Sequence, residues 1–173
     1  SVKESAFSEC SSLTQVSIPT SVTSIEESTF NFCSSLKQIE IPSSITSIGE
    51  SSFSFCLQLA KIQIPQSVKR IQSCCFYGCS SLTEIEIPSS VIEIGPSAFY
   101  GCSSLPIVEI PSSVVVISQG AFEGCSSLAS ISIPSSVKSL GFSIFSGCTL
   151  LKDVTILAAI TEIEESAFNE CSS

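Results

Sequence analysis

Histidine is absent from this chain of 173 residues, and basic residues are few: seven lysines and arginines against sixteen aspartates and glutamates. Without histidine the commonest general base is missing, and neither a Ser-His nor a Cys-His nucleophile pair can be assembled. The formal net charge of −9 argues against a nucleic-acid binder, which presents a basic stripe to phosphates. No apolar run approaches the roughly 18 residues of a membrane-spanning helix, so no membrane insertion is expected within this segment. Neither an initiator Met nor a signal peptide opens the chain, and both ends fall inside a repeating unit. A piece of a longer protein is therefore expected. Hydrophobic residues at 43% argue for a packed core despite the abundant serine.

What is present is a period. Cysteines fall at positions 10, 33, 56, 79, 102, 125, 148 and 171, and phenylalanines at 7, 30, 53, 76, 99, 122, 145 and 168. Prolines stand at 19, 42, 65, 88, 111 and 134, each preceded by isoleucine, and Leu157 takes the next proline slot after Ile156. Markers locked to 23 residues without insertion or deletion define a solenoid. At 23 residues per unit, the 173 residues make about 7.5 repeats in one domain, 1–173.

One unit shows how a coil is built. Ile85 and Ile87 alternate with Glu84 and Glu86, the period-2 pattern of a half-buried strand. Pro88 lacks an N–H and halts the ladder, and Ser89-Ser90 turn the chain. Val91 to Ile94 make a second short extended segment, and Gly95 permits the bend after it. The stretch from Pro96 to Cys102 is compatible with one helical or 3₁₀ turn. A single coil has open faces; stacked neighbours cover them and pair its strand edges. Coils about 4.8 Å apart with right-handed connections between parallel strands are expected.

The full phrase I-P-S-S-V-x-x-I-G-x-x-A-F-x-x-C-S-S-L, read from Ile87 to Leu105, resembles the BspA-like (Treponema pallidum-type) leucine-rich repeats. The L-x-x-I-x-I core looks like a leucine-rich repeat without the usual Asn after the strand. The resemblance covers the whole chain and implies a right-handed solenoid of the α/β horseshoe class, rich in β-structure. That family occurs on bacterial surfaces and in protists such as Trichomonas and Entamoeba. It implies a secreted or cell-surface adhesion module that binds a protein partner, such as a host extracellular-matrix or cell-surface protein. It carries no catalytic residues to transfer. The last complete unit departs from the pattern, with Ile156-Leu157-Ala158-Ala159-Ile160 in place of I-P-S-S-V.

Ten cysteines raise metal and disulfide readings. No C-x-x-C occurs and no histidine can join a site, so no metal or cofactor is expected. Eight of the ten share one slot and are read as an inward ladder of core thiols. Thiols in register point along parallel directions, which is poor disulfide geometry. Cys74, in an outer slot, is the most exposed to reaction, and a disulfide, if one forms, is sought among Cys74, Cys75 and Cys79. Serines recur at turn positions in every coil and are architectural. The Glu84 and Glu86 carboxylates lack an inserted loop that would build a hydrolase pocket around them, so enzyme activity is not expected.

Surface residues then carry the function. One outward column of the strand face reads Gln15, Gln38, Lys61, Glu84, Ile107, Ser130 and Asp153; the other reads Ser17, Glu40, Gln63, Glu86, Glu109, Ser132 and Thr155. Glu40, Glu84, Glu86 and Glu109 make its centre acidic beside Ile107. This face is either solvated or a docking surface for a basic protein. Phe32 and Phe55 occupy a slot that otherwise holds Gly or Glu, and Tyr77 and Tyr100 occupy the preceding slot in the next two coils. These four aromatics either line a contact edge or fold back over the turns. Ile92, Val115 and Val116 form a smaller apolar patch with the same two readings. Two further roles stay open: head-to-tail self-association through uncapped ends, and an intracellular, cytoplasmic scaffold if every thiol is free.

Overall fold

The computed structural model describes residues 1–172, so the last residue of the expected domain, Ser173, lies outside the described residues. Short parallel strands recur at the spacing of the sequence: β1 (Gln15–Ser17), β2 (Ser24–Ile25), β3 (Gln38–Glu40), β4 (Ser47–Ile48), β5 (Lys61–Gln63) and β6 (Arg70–Ile71). They continue as β7 (Glu84–Glu86), β8 (Glu93–Ile94), β9 (Val116–Ile117), β10 (Ser130–Ile133), β11 (Ser139–Leu140) and β12 (Asp153–Ile156). Every pairing is parallel and every register is offset by 23 residues, as in Gln15 with Gln38 or Lys61 with Glu84. The chain is a β-solenoid.

Two ladders run along it. The first joins β1 to β3, β5 to β7 and β10 to β12. The second joins β2 to β4 and, in a separate run, β6, β8, β9 and β11 in order. Proline follows every first-ladder strand but β12 and opens a tight turn: the Val91 N–H bonds back to the Pro88 carbonyl at 2.9 Å. Ser90 Oγ then donates to the Val68 carbonyl of the preceding coil at 2.6 Å. The turn serines thus tie neighbouring coils together as well as reversing the chain.

The third side of each coil departs from expectation. No helix occurs there among the described residues, and the segment is a run of tight turns. Ser97 and Gly101 adopt φ of +50° and +67°, and the same two slots are left-handed in neighbouring coils. Between two left-handed residues only three remain, too few to continue a helical ladder. The N–H groups of Ser97, Phe99 and Gly101 reach the next coil, as Phe99 N–H does to the Ala121 carbonyl at 2.8 Å, while those of Ala98 and Tyr100 turn back to Gly95 and Ser97.

Inside, the phenylalanines stack rung on rung from Phe7 to Phe168, with centroids 5.3 to 5.9 Å apart. Leu82, Ile85, Ile87, Val91, Ile94 and Ala98 complete a buried coil, an inward face that alternation in the sequence anticipates. The coil after β11 is different. Without proline and the serine pair no second-ladder strand forms past Leu140 among the described residues, and Leu157 and Ile163 stand exposed.

Candidate functional site

The strand face presents its side chains in the two expected columns. In β3, β5 and β7 the outer residues are exposed and the middle isoleucine is buried. Glu40, Glu84, Glu86, Ile107 and Glu109 all lie on this face and are exposed. Lys61 Nζ holds Glu84 Oε1 at 2.6 Å, so the Glu84 charge is already compensated within the face. Glu86 and Glu109, on consecutive coils of the other column, have no basic residue in that column.

One expected strand is missing. Residues 107–109 make only an isolated bridge from Ile107 to Ser130 and do not pair with β7. Pro106 removes a donor at this break. From the same slot Thr83 N–H reaches the Ala60 carbonyl at 3.0 Å and Lys152 N–H the Ala129 carbonyl at 2.9 Å; proline has none to give to Thr83. A groove of about 570 Å³ lies at this break, lined by Glu84, Glu86, Ile107, Glu109 and Pro111 among others. A second, of about 410 Å³, adjoins it through Ile107 and Glu109 and extends to Asp153 and Thr155. Ile107, 56% exposed, is the apolar ridge between them.

The four edge aromatics form a second feature. Phe32 stacks on Phe55 at 4.7 Å, Phe55 meets Tyr77 at 5.2 Å in a tilted contact, and Tyr77 stacks on Tyr100 at 4.5 Å. Phe32 is exposed, whereas Phe55, Tyr77 and Tyr100 are half-buried, so Phe55 is more covered than its slot suggests. Phe32 and Phe55 have φ of +57° and +56°, in the slot where Gly78, Gly101, Gly124 and Gly147 stand at +67° to +72°. A side chain other than glycine costs roughly 1–2 kcal/mol in that conformation. The Phe55 ring lies over Gly78: a Cβ there would come within 2.9 Å of Phe55 Cδ1. Burial, first, and then the neighbouring Tyr100 push the Tyr77 hydroxyl above the usual phenol range. The repeated glycine in this slot is the sequence signal for the strain at Phe32 and Phe55.

The matching family model settles the kinship: the BspA type leucine rich repeat region, in six copies, matches residues 1–103 and 71–173. The chain belongs to the BspA-type leucine-rich-repeat family. It is similar to the crystallised leucine-rich-repeat protein of T. pallidum at 35% identity and a TM-score of 0.78, over 82% of this chain and 69% of that one. A leucine-rich cell surface protein of Faecalibacterium prausnitzii is 27% identical with a TM-score of 0.51, over 87% of this chain and 62% of that one. The pneumococcal vaccine antigen PcpA shares the fold, with a TM-score of 0.57 at 20% identity over 83% of this chain and 51% of that one. This BspA-type chain thus spans about half to two thirds of the length of these relatives. No curated protein sequence matches it. The family is a repeat scaffold, protein-binding in its general character, and neither the family match nor these relatives indicate an enzyme.

The BspA-type cysteine slot has a purpose that spacing alone does not reveal. Each ladder thiol from Cys33 to Cys171 donates to the carbonyl of the phenylalanine 26 residues earlier: Cys56 Sγ to Phe30 O at 3.3 Å, Cys79 to Phe53 at 3.1 Å, Cys102 to Phe76 at 3.2 Å. The same Phe30 carbonyl accepts the Cys33 N–H at 3.1 Å. One buried oxygen is therefore satisfied from two coils. All ten cysteines are free, including Cys74, Cys75 and Cys79. Cys10 is exposed at the start of the ladder and Cys171 half-buried near its end, while the six between are buried. Burial pushes the Cys33 thiol up to about 11 and the Cys148 thiol to about 12, and moves Cys75, Cys79 and Cys102 upward as well. Cys74 is half-exposed and left-handed at φ +53°, in the outer slot expected of it. Ile92 is exposed, and Val115 and Val116 are half-buried, with Val116 paired in β9.

Proposed function

We infer that this chain is a protein-binding module of a cell-surface protein and that it holds its partner on the strand face around Ile107. The observation that carries this reading is the paired groove at the break after β7. An exposed isoleucine stands between two hollows whose rims bear the Glu86 and Glu109 carboxylates. Apolar centres ringed by polar groups are the usual anatomy of a recognition patch. Two carboxylates on adjoining coils repel one another, and a cationic group between them relieves that repulsion. The partner is accordingly a basic protein. The surface location is supported by the relative from F. prausnitzii, which is a cell surface protein. No helix among the described residues is long and apolar enough to cross a membrane, so an anchor within this segment forms no part of the reading.

Immobilised wild type, Glu86→Lys, Glu109→Lys and Ile107→Ser chains, challenged with basic extracellular-matrix proteins, test the reading. Retention by wild type and loss in all three variants is the expected outcome. Equal retention by every variant removes this face from consideration. Antibody labelling of intact, unpermeabilised cells tests the location separately.

A further inference from the structure

Phe32 and Phe55 violate the local rule of their own repeat. Four other coils place glycine at this left-handed position, yet these two carry large side chains that leave Phe32 46% exposed. Strain retained at a surface site, where a cheaper residue is used next door, points to a use for the side chain. The rings form one continuous π-ladder across four coils, Phe32–Phe55–Tyr77–Tyr100.

The charges at its two ends have one sign. Glu9 occupies the Phe32 slot one coil earlier, with φ +61°, and its N–H bonds to the carbonyl of Asn31 beside Phe32 at 2.7 Å. Glu123 takes the Tyr100 slot one coil later, close enough for its charge to be felt at Tyr77. None of the seven basic residues lies in these two slots of any coil. Phe32 has no ring on its outer side, so that face is open toward Glu9. A π-face beside a carboxylate is the pairing that holds a guanidinium or ammonium group, through cation–π attraction and a charge-assisted hydrogen bond together. A second copy of this chain, at net charge −9, would bring mainly carboxylates to the same edge.

We propose that the aromatic edge is a second recognition site, independent of the strand face, which binds an arginine-bearing peptide segment by stacking guanidinium groups at the ladder ends beside Glu9 and Glu123. The chain contains two tyrosines and no tryptophan. Both tyrosines are in the ladder, so its tyrosine emission reports on this site alone.

The test titrates the whole chain with a Gly-Arg repeat hexapeptide, with its citrulline counterpart, which keeps the shape and loses the charge, and with a neutral glucan oligosaccharide. Expected is a saturable, salt-sensitive change in tyrosine emission with the arginine peptide. The citrulline peptide and the Phe32→Gly/Phe55→Gly chain should bind roughly 3- to 30-fold more weakly. That double variant should fold, because glycine is the native residue at the same position of the next four coils. Glu9→Gln and Glu123→Gln should weaken binding and flatten its salt dependence, whereas Glu86→Lys should leave the emission change intact. Equal binding of the citrulline peptide overturns the proposal. So does binding unaffected by the double glycine variant, or an emission change produced by the neutral glucan instead of the peptide. An arginine peptide that leaves tyrosine emission unchanged at every concentration also overturns it.

Discussion

Gly95 and Gly101 are six residues apart in one coil, and the structure favours glycine at each for a different reason. At Gly101 the backbone is left-handed, φ +67°, but the space is open: an added Cβ would find its nearest neighbour, the Gly78 Cα, at 3.7 Å. Gly101→Ala therefore incurs only backbone strain, roughly 1–2 kcal/mol, less the roughly 0.4–1 kcal/mol gained by stiffening the unfolded chain. A net loss of about 1 kcal/mol is expected. At Gly95 an added Cβ would lie 2.9 Å from the Ile71 carbonyl oxygen and 2.9 Å from the Ser73 nitrogen. Both are backbone atoms of the preceding coil and cannot swing away. The collision costs roughly 1–3 kcal/mol as overpacking. It also spoils the 2.8 Å bond from the Gly95 N–H to the Ile71 carbonyl, a further loss of about 1 kcal/mol. Less the same roughly 0.4–1 kcal/mol gained in the unfolded chain, Gly95→Ala should lose about 2 kcal/mol. In urea titrations followed by circular dichroism, the midpoint should fall roughly twice as far for Gly95→Ala. In thermal scans the Tm shifts should be about 3 °C and about 6 °C. Equal losses, or a larger one at Gly101, would refute the claim that the coils touch backbone to backbone at Gly95.

Three other outcomes follow from the same geometry. Phe99→Ala, which removes a fully buried ring stacked on both sides at 5.4 Å, should cost roughly 3–5 kcal/mol in urea unfolding. Phe7→Ala, half-buried with one stacking partner, should cost clearly less. Pro106→Thr restores an N–H opposite the Thr83 carbonyl and should stabilise by roughly 0.5–1.5 kcal/mol, with slower hydrogen exchange in β7 as the accompanying sign. The ladder thiols from Cys33 to Cys171 have folded pKa values above their unfolded ones, so they favour the native state fully below the unfolded value and lose that contribution as pH rises. For Cys33 the window runs from about 9 to about 11. Stability should therefore decline across it, and native-state alkylation at pH 8 should label Cys10 and Cys74 ahead of the buried thiols.

Much of the scaffold was readable from spacing. Alternation at Ile85 and Ile87 marks the buried side of a strand, and Pro88 with Ser89-Ser90 marks its end, because proline removes a donor and serine suits a turn. The third side reads in the sequence as one helical or 3₁₀ turn, and the structure has a run of tight turns there instead. Pro-Ser-Ala-Phe-Tyr-Gly-Cys has adequate helix formers, and only the recurrence of glycine at the slot of Gly101 betrays a left-handed residue. The gap after β7 has a mark in the sequence, since Pro106 sits where Thr83 and Ala129 in the neighbouring coils supply an N–H. The placement of all nine candidate contact residues on the strand face and the aromatic edge follows from the period. The strain at Phe32 and Phe55 does not, because φ is a property of the backbone and leaves only an indirect trace in residue choice. The double duty of the phenylalanine carbonyls was likewise invisible until atoms of two coils were placed together.

Those shared carbonyls bind the chain to a unit of length. A deletion of one residue inside any coil would unseat a thiol from an oxygen belonging to the coil before, and would slide the stacked rings past one another at the same stroke. Growth or shrinkage by whole multiples of 23 disturbs neither. A polymer with this interior can be extended or shortened a full rung at a time while its outward side chains vary freely, much as a printed ribbon changes its text without changing its line spacing.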